Sequence, residues 1–310
     1  MKKTGISERI LSLAAESLRE WECANITLDD CLENLRRDSS TEKSAVASLL
    51  FEYFRHKGFI DDLIRRNAKK DAVKQELRII LACAVTQALF QTGIATESAV
   101  NVAVDFAKLC FGRGAAGFVN AMLRSMLADS VSSKPPERSF PEELGKKWAA
   151  QFGKDEAEKA ISFFASNPPL TFRVRAELPQ EKLAALGCGR ISEDFTGKFE
   201  FMECAASSDF FTENWLEKGM VYVQDIATSL PLSLLEGRHI TGKVLDACAA
   251  PGGKTIMLAD MLGESDVKIT AADRSQQRIS QMNINFKRAG IKARTMQASA
   301  NETPFPPETF

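Results

Sequence analysis

Several large classes of protein are excluded by what this 310-residue sequence lacks. Its seven cysteines (Cys23, Cys31, Cys83, Cys110, Cys188, Cys204 and Cys248) are odd in number and include no C-x-x-C pair. That pattern disfavours a disulfide framework or a zinc site and suits a reducing, cytoplasmic setting. Most of these thiols are read as ordinary packing residues. The most apolar run, Ile79 to Ala95, is interrupted by Gln87 and Gln91 and falls short of the roughly 20 apolar residues a bilayer crossing needs. It reads as a buried helix, and no membrane association is expected. Near the start, Glu8 and Arg9 break up any apolar stretch after Lys2 and Lys3, so no export signal is read. There is no excess of one charge either: 40 basic and 41 acidic side chains leave a net charge of -1. Contact with a nucleic acid would therefore rest on local patches. With 45% hydrophobic and 26% charged residues, the chain is globular and long enough for two or three domains.

Two phosphate-binding loops are also missing. A Walker A loop requires glycine five positions before the glycine of G-K-T, where this chain has Cys248. A dinucleotide fingerprint requires G-x-G-x-x-G, and only the adjacent Gly252 and Gly253 are present. What stands there is V-L-D-A-C-A-A-P-G-G-K-T, Val244 to Thr255. The β-formers Val244 and Leu245 lead into Asp246, Pro251-Gly252-Gly253 turns sharply, and Thr255 onward has the apolar spacing of a helix. Strand, glycine turn and helix start together open a nucleotide-type α/β site. The glycines allow close approach to a ligand, and the helix start leaves amides free for an anion.

Val267 to Asp273 reads as a second parallel strand ending in a carboxylate. At that place an acidic side chain accepts two hydrogen bonds from a ribose diol, so Asp273 is the expected ribose ligand. Ser275 to Gly290 follows as a helix with Ile279, Met282 and Phe286 on one face, and Ala293 to Ala298 as a third strand. Upstream, residues to about 127 are all helical, with stripes such as Leu11, Ala14, Ala15 and Leu18, or Leu49, Leu50, Tyr53 and Phe54. Gly112-Arg113-Gly114 splits Ser98 to Leu127 into two helices. A linker at Asp129 to Pro141 and a smaller region to about Met220 complete the chain. Within that region, the helix from Pro141 carries Trp148 and Phe152, and Asn167 to Arg175 has strand-like composition. Arg173 and Arg175 are weighed as phosphate contacts against the commoner alternative, an exposed strand face. Gln224 and Asp225 are read either as braces for the glycine loop or, for Asp225, as a helix N-cap; both can hold together.

The string D-A-C-A-A-P-G-G-K-T resembles, letter for letter, the cofactor loop of the Sun/Nop-type RNA (cytosine-5) methyltransferases, which use S-adenosylmethionine. A-V-N (Ala99 to Asn101) and G-F-V-N-A-x-L-R (Gly117 to Arg124) resemble the NusB-like RNA-binding domain attached to one branch of that family. The resemblance implies a multidomain protein: an all-α NusB-like domain over 1-128, a linker and small α/β connecting module over 129-218, and an incomplete α/β Rossmann-like methyltransferase domain over 219-310. It implies methylation of cytosine carbon-5 in RNA, most plausibly small-subunit ribosomal RNA, by a cytoplasmic, metal-free monomer. The implied cofactor residues are Cys248, Ala249, Ala250, Pro251, Gly252, Gly253, Lys254, Asp273 and Ser299. Two positions depart from the family: Arg175 stands where Asn is usual, and Ser299 where an Asp meets the adenine amino group. The family's D-A-P-C-S and T-C motifs, which carry its catalytic cysteines, are not in the sequence, so the chain reads as a partial member with no catalytic residue assigned, able to bind and not to turn over. Cys248 is expected behind the loop, pointing into the sheet. The alternative from another class is a non-catalytic RNA-binding or antitermination factor using the helical domain alone; Asp246, Gly252, Gly253 and Asp273 would then have no use.

Overall fold

The computed structural model describes residues 5–24, 26–34, 40–68, 73–130, 140–204, 207–302 and 304–310. They form two compact units, Met1–Asn167 and Pro168–Phe310. The first is helical, with α1 (Ile6–Ala24), α2 (Leu28–Asn34), α3 (Ser40–Asn67), α4 (Gln75–Phe90), α5 (Thr96–Ser130), α6 (Glu142–Phe152) and α7 (Lys154–Phe164). The expected stripes are its core: Leu11, Ala14 and Leu18 from α1 meet Leu49, Leu50 and Tyr53 from α3, all buried. Each large aliphatic side chain buried this way contributes about 1.5–3 kcal/mol. The apolar run beginning at Ile79 becomes α4, buried continuously from Ile79 to Gln87. At Gly112, with φ 86°, α5 breaks into two arms, a backbone conformation that glycine adopts without steric cost. Burial pushes the Cys83 thiol in this core up to about 12, because the thiolate loses its hydration. Residues 131–139 of the expected linker lie outside the described residues. Among the described residues, no helix is long and apolar enough to cross a membrane.

The second unit contains two sheets. In the antiparallel one, β1 (Leu170–Val174), β2 (Cys188–Ile191), β3 (Glu200–Cys204) and β4 (Val221–Val223) take the order β2-β3-β1-β4. Helices α8 (Gln180–Ala185) and α9 (Ser207–Phe210) accompany them. After α10 (Leu230–Ser233), a parallel sheet of order β5-β6-β7 follows: β5 (Lys243–Asp246), β6 (Lys268–Asp273) and β7 (Arg294–Gln297). The crossovers are α11 (Gly253–Leu262) and α12 (Gln276–Ala289). Ser275 caps α12, its Oγ accepting from the Arg278 amide at 3.3 Å, and Gly290 ends it in the left-handed region. Ile279, Met282 and Phe286 are its buried stripe, as their spacing predicts.

Arg173 and Arg175 do not form an exposed strand face. Arg173 is 1% exposed, and both guanidiniums converge on Asp260 of α11. Arg175 grips that carboxylate with Nε and Nη2, each at 2.8 Å, and Arg173 donates through Nη1 at 2.7 Å. Arg175 also donates to the carbonyls of Gly219 (2.7 Å) and Ala289 (2.9 Å). One side chain thus ties the entry to β4, α11 and the end of α12 together. The strand's alternation could not reveal this, because it says which residues share a face and not whether a second layer brings a carboxylate to that face. Burial alone would raise the Asp260 carboxyl, but the hydrogen bonds and charge of Arg175 and Arg173 outweigh it and hold it below its usual range.

A folded-state pKa below the unfolded one stabilises at pH above the unfolded value and is lost as pH falls through the folded value. Asp260→Asn is therefore expected to destabilise the protein by about 3–5 kcal/mol near neutrality, the scale for breaking a buried charge pair. The loss should shrink on acidification. Urea unfolding across the acid range tests this; a deficit that stays constant as the carboxylate protonates would mean that the charge of Asp260 does not anchor the two arginines.

Candidate cofactor site

The loop joining β5 to α11 is held from several sides. At the end of β5, Asp246 Oδ2 accepts from Thr255 Oγ at 2.7 Å. The Ala249 amide donates to the Ala272 carbonyl on β6 at 2.9 Å, and the Gly252 amide to the Ala249 carbonyl at 2.7 Å. Gly252 has φ 105°, and a Cβ there would lie 2.7 Å from Phe286 Cε1; a Cβ on Gly253 would lie 2.9 Å from Tyr222 Cε1 and 3.3 Å from Gln224 Nε2. The close approach that these glycines permit is thus made to the protein's own side chains: α12 on one side, β4 on the other. The Ile256 amide bonds the Gly252 carbonyl at 2.9 Å. Ahead of it, the first-turn amides of Gly253, Lys254 and Thr255 have no acceptor within the helix, and they add the positive end of its dipole.

Parallel pairing brings the carboxyl ends of all three strands to one edge, and with them Asp246, Asp273 and Ser299. Asp273 is 5% exposed. Its Oδ2 accepts from the Ala250 amide at 3.2 Å and its Oδ1 from the Ser275 amide at 3.0 Å. It therefore braces the glycine loop while keeping further lone pairs on both oxygens. Ser299 lies two residues beyond β7, half-buried, with its Oγ accepting from the Asn301 amide at 3.3 Å. Asp225 is an N-cap, Oδ1 accepting from the Ala227 amide at 2.8 Å. Its neighbour Gln224 lies beside Gly253, so Asp225 is seen as a cap and Gln224 alone stands against the loop.

Ala249, Ala250 and Gly252 are buried, whereas Pro251 and Lys254 are exposed. Cys248 differs from expectation: its side chain is exposed and does not point into the sheet. The inward places are taken by Ala249 and Ala250, which pack in one cluster with Ile256, Ala271, Met282 and Phe286. Three residues of this site were not anticipated. Arg278 Nη2 donates to the Ala250 carbonyl at 2.8 Å, Asn285 Nδ2 to the Pro251 carbonyl at 2.8 Å, and the Tyr222 hydroxyl to the same carbonyl at 3.3 Å. Arg278 and Asn285 each sit one position before a residue of the apolar stripe on α12, the only signal of their role that the sequence carried. Burial raises the Tyr222 hydroxyl pKa, opposed by Asn285 and by the charge of Arg173.

Comparison with known proteins matches two segments. Residues 9–128 match the NusB family, and residues 233–306 match the family described as 16S rRNA methyltransferase RsmB/F. The probable ribosomal RNA small subunit methyltransferase B of Bacillus subtilis (strain 168) is 27% identical, covering all of this chain and 72% of its own length. Its counterpart in Synechocystis is 26% identical, covering 82% of this chain and 60% of that protein. The chain thus spans between about three fifths and three quarters of the length of these curated relatives. A tRNA (cytosine(72)-C(5))-methyltransferase of Pyrococcus horikoshii is 36% identical over 28% of this chain and 22% of its own. Among solved structures, that of PH0851 superposes with a TM-score of 0.63 at 19% identity, over 97% of this chain and 71% of the other; at that identity the likeness concerns the fold. With a glycine loop braced at the carboxyl edge of a parallel sheet, and a helical segment ahead of it in the sequence, the chain combines a NusB-like domain with a segment that matches the 16S rRNA methyltransferase RsmB/F family.

Proposed function

We propose that the chain is the RNA-holding and cofactor-holding part of an enzyme that methylates carbon-5 of cytosine in small-subunit ribosomal RNA with S-adenosylmethionine, in the cytoplasm. The observation carrying this reading is the site edge itself: unpaired first-turn amides, Asp273 and Ser299 lie at the strand ends within the segment that matches the RsmB/F family. The donor set suits such a cofactor. The α11 amides of Gly253 and Lys254 offer donors to a carboxylate, Asp273 keeps acceptor capacity for a ribose diol, and Ser299 offers a hydroxyl to an adenine amino group. Cys248, Ala249, Ala250, Pro251 and Gly252 complete the loop. When bound, S-adenosylmethionine supplies an electrophilic sulfonium methyl.

The chain's own residues orient this ligand. Tyr222, Arg278 and Asn285 occupy the loop carbonyls of Ala250 and Pro251. That keeps these acceptors turned toward the protein, so the loop offers its amides to the ligand. Specificity for rRNA is inferred from the family and from the names of the Bacillus and Synechocystis relatives, and carbon-5 from the Pyrococcus tRNA enzyme. We assign no nucleophile within residues 1–310. The exposed Cys248 belongs to the cofactor loop, and a thiol that adds to carbon-6 of cytosine would have to stand on the methyl side of the ligand. A purely helical RNA binder is the weaker reading, since it leaves residues 233–306 without a role.

Calorimetric titration with S-adenosylmethionine tests the assignment. Asp273→Asn keeps the side-chain size and one carbonyl acceptor but removes the charge; it is expected to weaken binding by about 1.5–3 kcal/mol, the scale of hydrogen bonds to an ionised group. Ser299→Asp is expected to tighten binding, because a carboxylate accepts from an amino group more strongly than a hydroxyl does. Undiminished binding by a folded Asp273→Asn protein would sink the ribose assignment.

A further inference from the structure

The helical unit contains a cavity of about 280 Å³ walled by α1, α3 and α4 and by the segment after α4. Its apolar walls include Ile10, Phe90 and Ile94, and its polar lining includes Ser48, Glu52 and Gln87. Most of these polar groups already have partners. Glu52 accepts from Arg55 at 2.6 Å, Arg55 Nη1 also donates to Asn167 Oδ1 at 2.7 Å, and Gln91 Nε2 donates to Ser48 Oγ at 3.2 Å. Gln87 is different. It is 5% exposed, lines the cavity, and its carboxamide makes no hydrogen bond among the described residues. As part of the cavity lining, that carboxamide keeps its donor and acceptor capacity for whatever fills the cavity.

We propose that this cavity receives one unstacked nucleobase of the RNA, of the kind that carries an exocyclic amino group beside a ring acceptor: adenine or cytosine. The inference rests on the RNA-binding reading of the helical unit and gives that reading a specific subsite. A base is flat and apolar on its faces, with donors and acceptors only at its edge, and so requires apolar walls and a few convergent polar groups. A carboxamide presents one donor and one acceptor side by side, the complement of an amino group next to a ring nitrogen. The Glu52 carboxylate in the same cavity accepts only, which favours an amino edge over a carbonyl one.

The whole chain should be titrated with a labelled single-stranded uridine tract, and with the same tract carrying one adenine or one cytosine, followed by fluorescence anisotropy. The substituted tracts are expected to bind roughly tenfold more tightly, within the range of a good bidentate base contact. The near-isosteric Gln87→Met should abolish that difference while leaving affinity for the uridine tract and the melting temperature undiminished, because no intramolecular hydrogen bond is lost. Gln87→Asn, which draws the amide back by one methylene, provides a second folded variant with the same expected loss. Equal binding of all tracts by the wild type overturns the pocket while leaving RNA binding intact. A preference that survives both variants also overturns it. Failure to bind any tract rejects the RNA reading of the helical unit, and this subsite with it.

Discussion

The site depends on a steric constraint at two adjacent backbone positions. Gly252 and Gly253 lie so close to Phe286 on one side and to Tyr222 and Gln224 on the other that a Cβ at either would fall within 3.0 Å of a ring carbon. The loop is therefore clamped between α12 and β4 before any ligand is considered. The first amides of α11, the Asp273 carboxylate and the end of β7 take their mutual arrangement from that clamp. Preorganisation of this kind lowers the ordering cost of binding, because the backbone that meets the ligand is already in place.

A second constraint, electrostatic, holds the layer behind the loop. Asp260 faces two guanidiniums, and Arg175 carries its tie onward to the carbonyls of Gly219 and Ala289. Arg173 pays for its burial with one unpartnered Nη2, and its guanidinium stands 5.5 Å from the centre of the Phe199 ring. Such a cluster contributes more to specifying geometry than to net stability, since desolvating the charges offsets much of their attraction. Arg175 thus ties α11 and α12 together through a long, charged side chain.

The helical unit presents a different kind of order. Its core is made of stripes at three- and four-residue spacing that pack on α4, and aliphatic burial dominates it. Against that background the carboxamide of Gln87, without a hydrogen bond among the described residues, stands out. Its place in the lining of the cavity between α1, α3 and α4 leaves that amide available to a ligand.

Much of the architecture was legible in the residue order, because the features concerned are local. Periodicity marked α1 and α3; the apolar run from Ile79 to Ala95 marked α4, which ends at Phe90; Gly112 marked the break in α5; Ser275 and Gly290 bounded α12; and the Asp246-to-Thr255 string marked the turn between β5 and α11. Hydrophobic spacing, capping and glycine geometry act over one or two turns of chain, and a sequence displays them directly. The contacts of Arg173 and Arg175 with Asp260, more than eighty residues away, were not legible. Neither were the outward turn of Cys248 and the grip of Tyr222, Arg278 and Asn285 on the loop carbonyls. Each depends on which side of a strand or helix another layer covers, and alternation along one element carries no information about what lies across from it. The sequence by itself determined the elements, their order and the glycine turn between β5 and α11. Only the tertiary structure decided which polar side chains face inward, because their partners are brought to them by packing between elements distant in the chain.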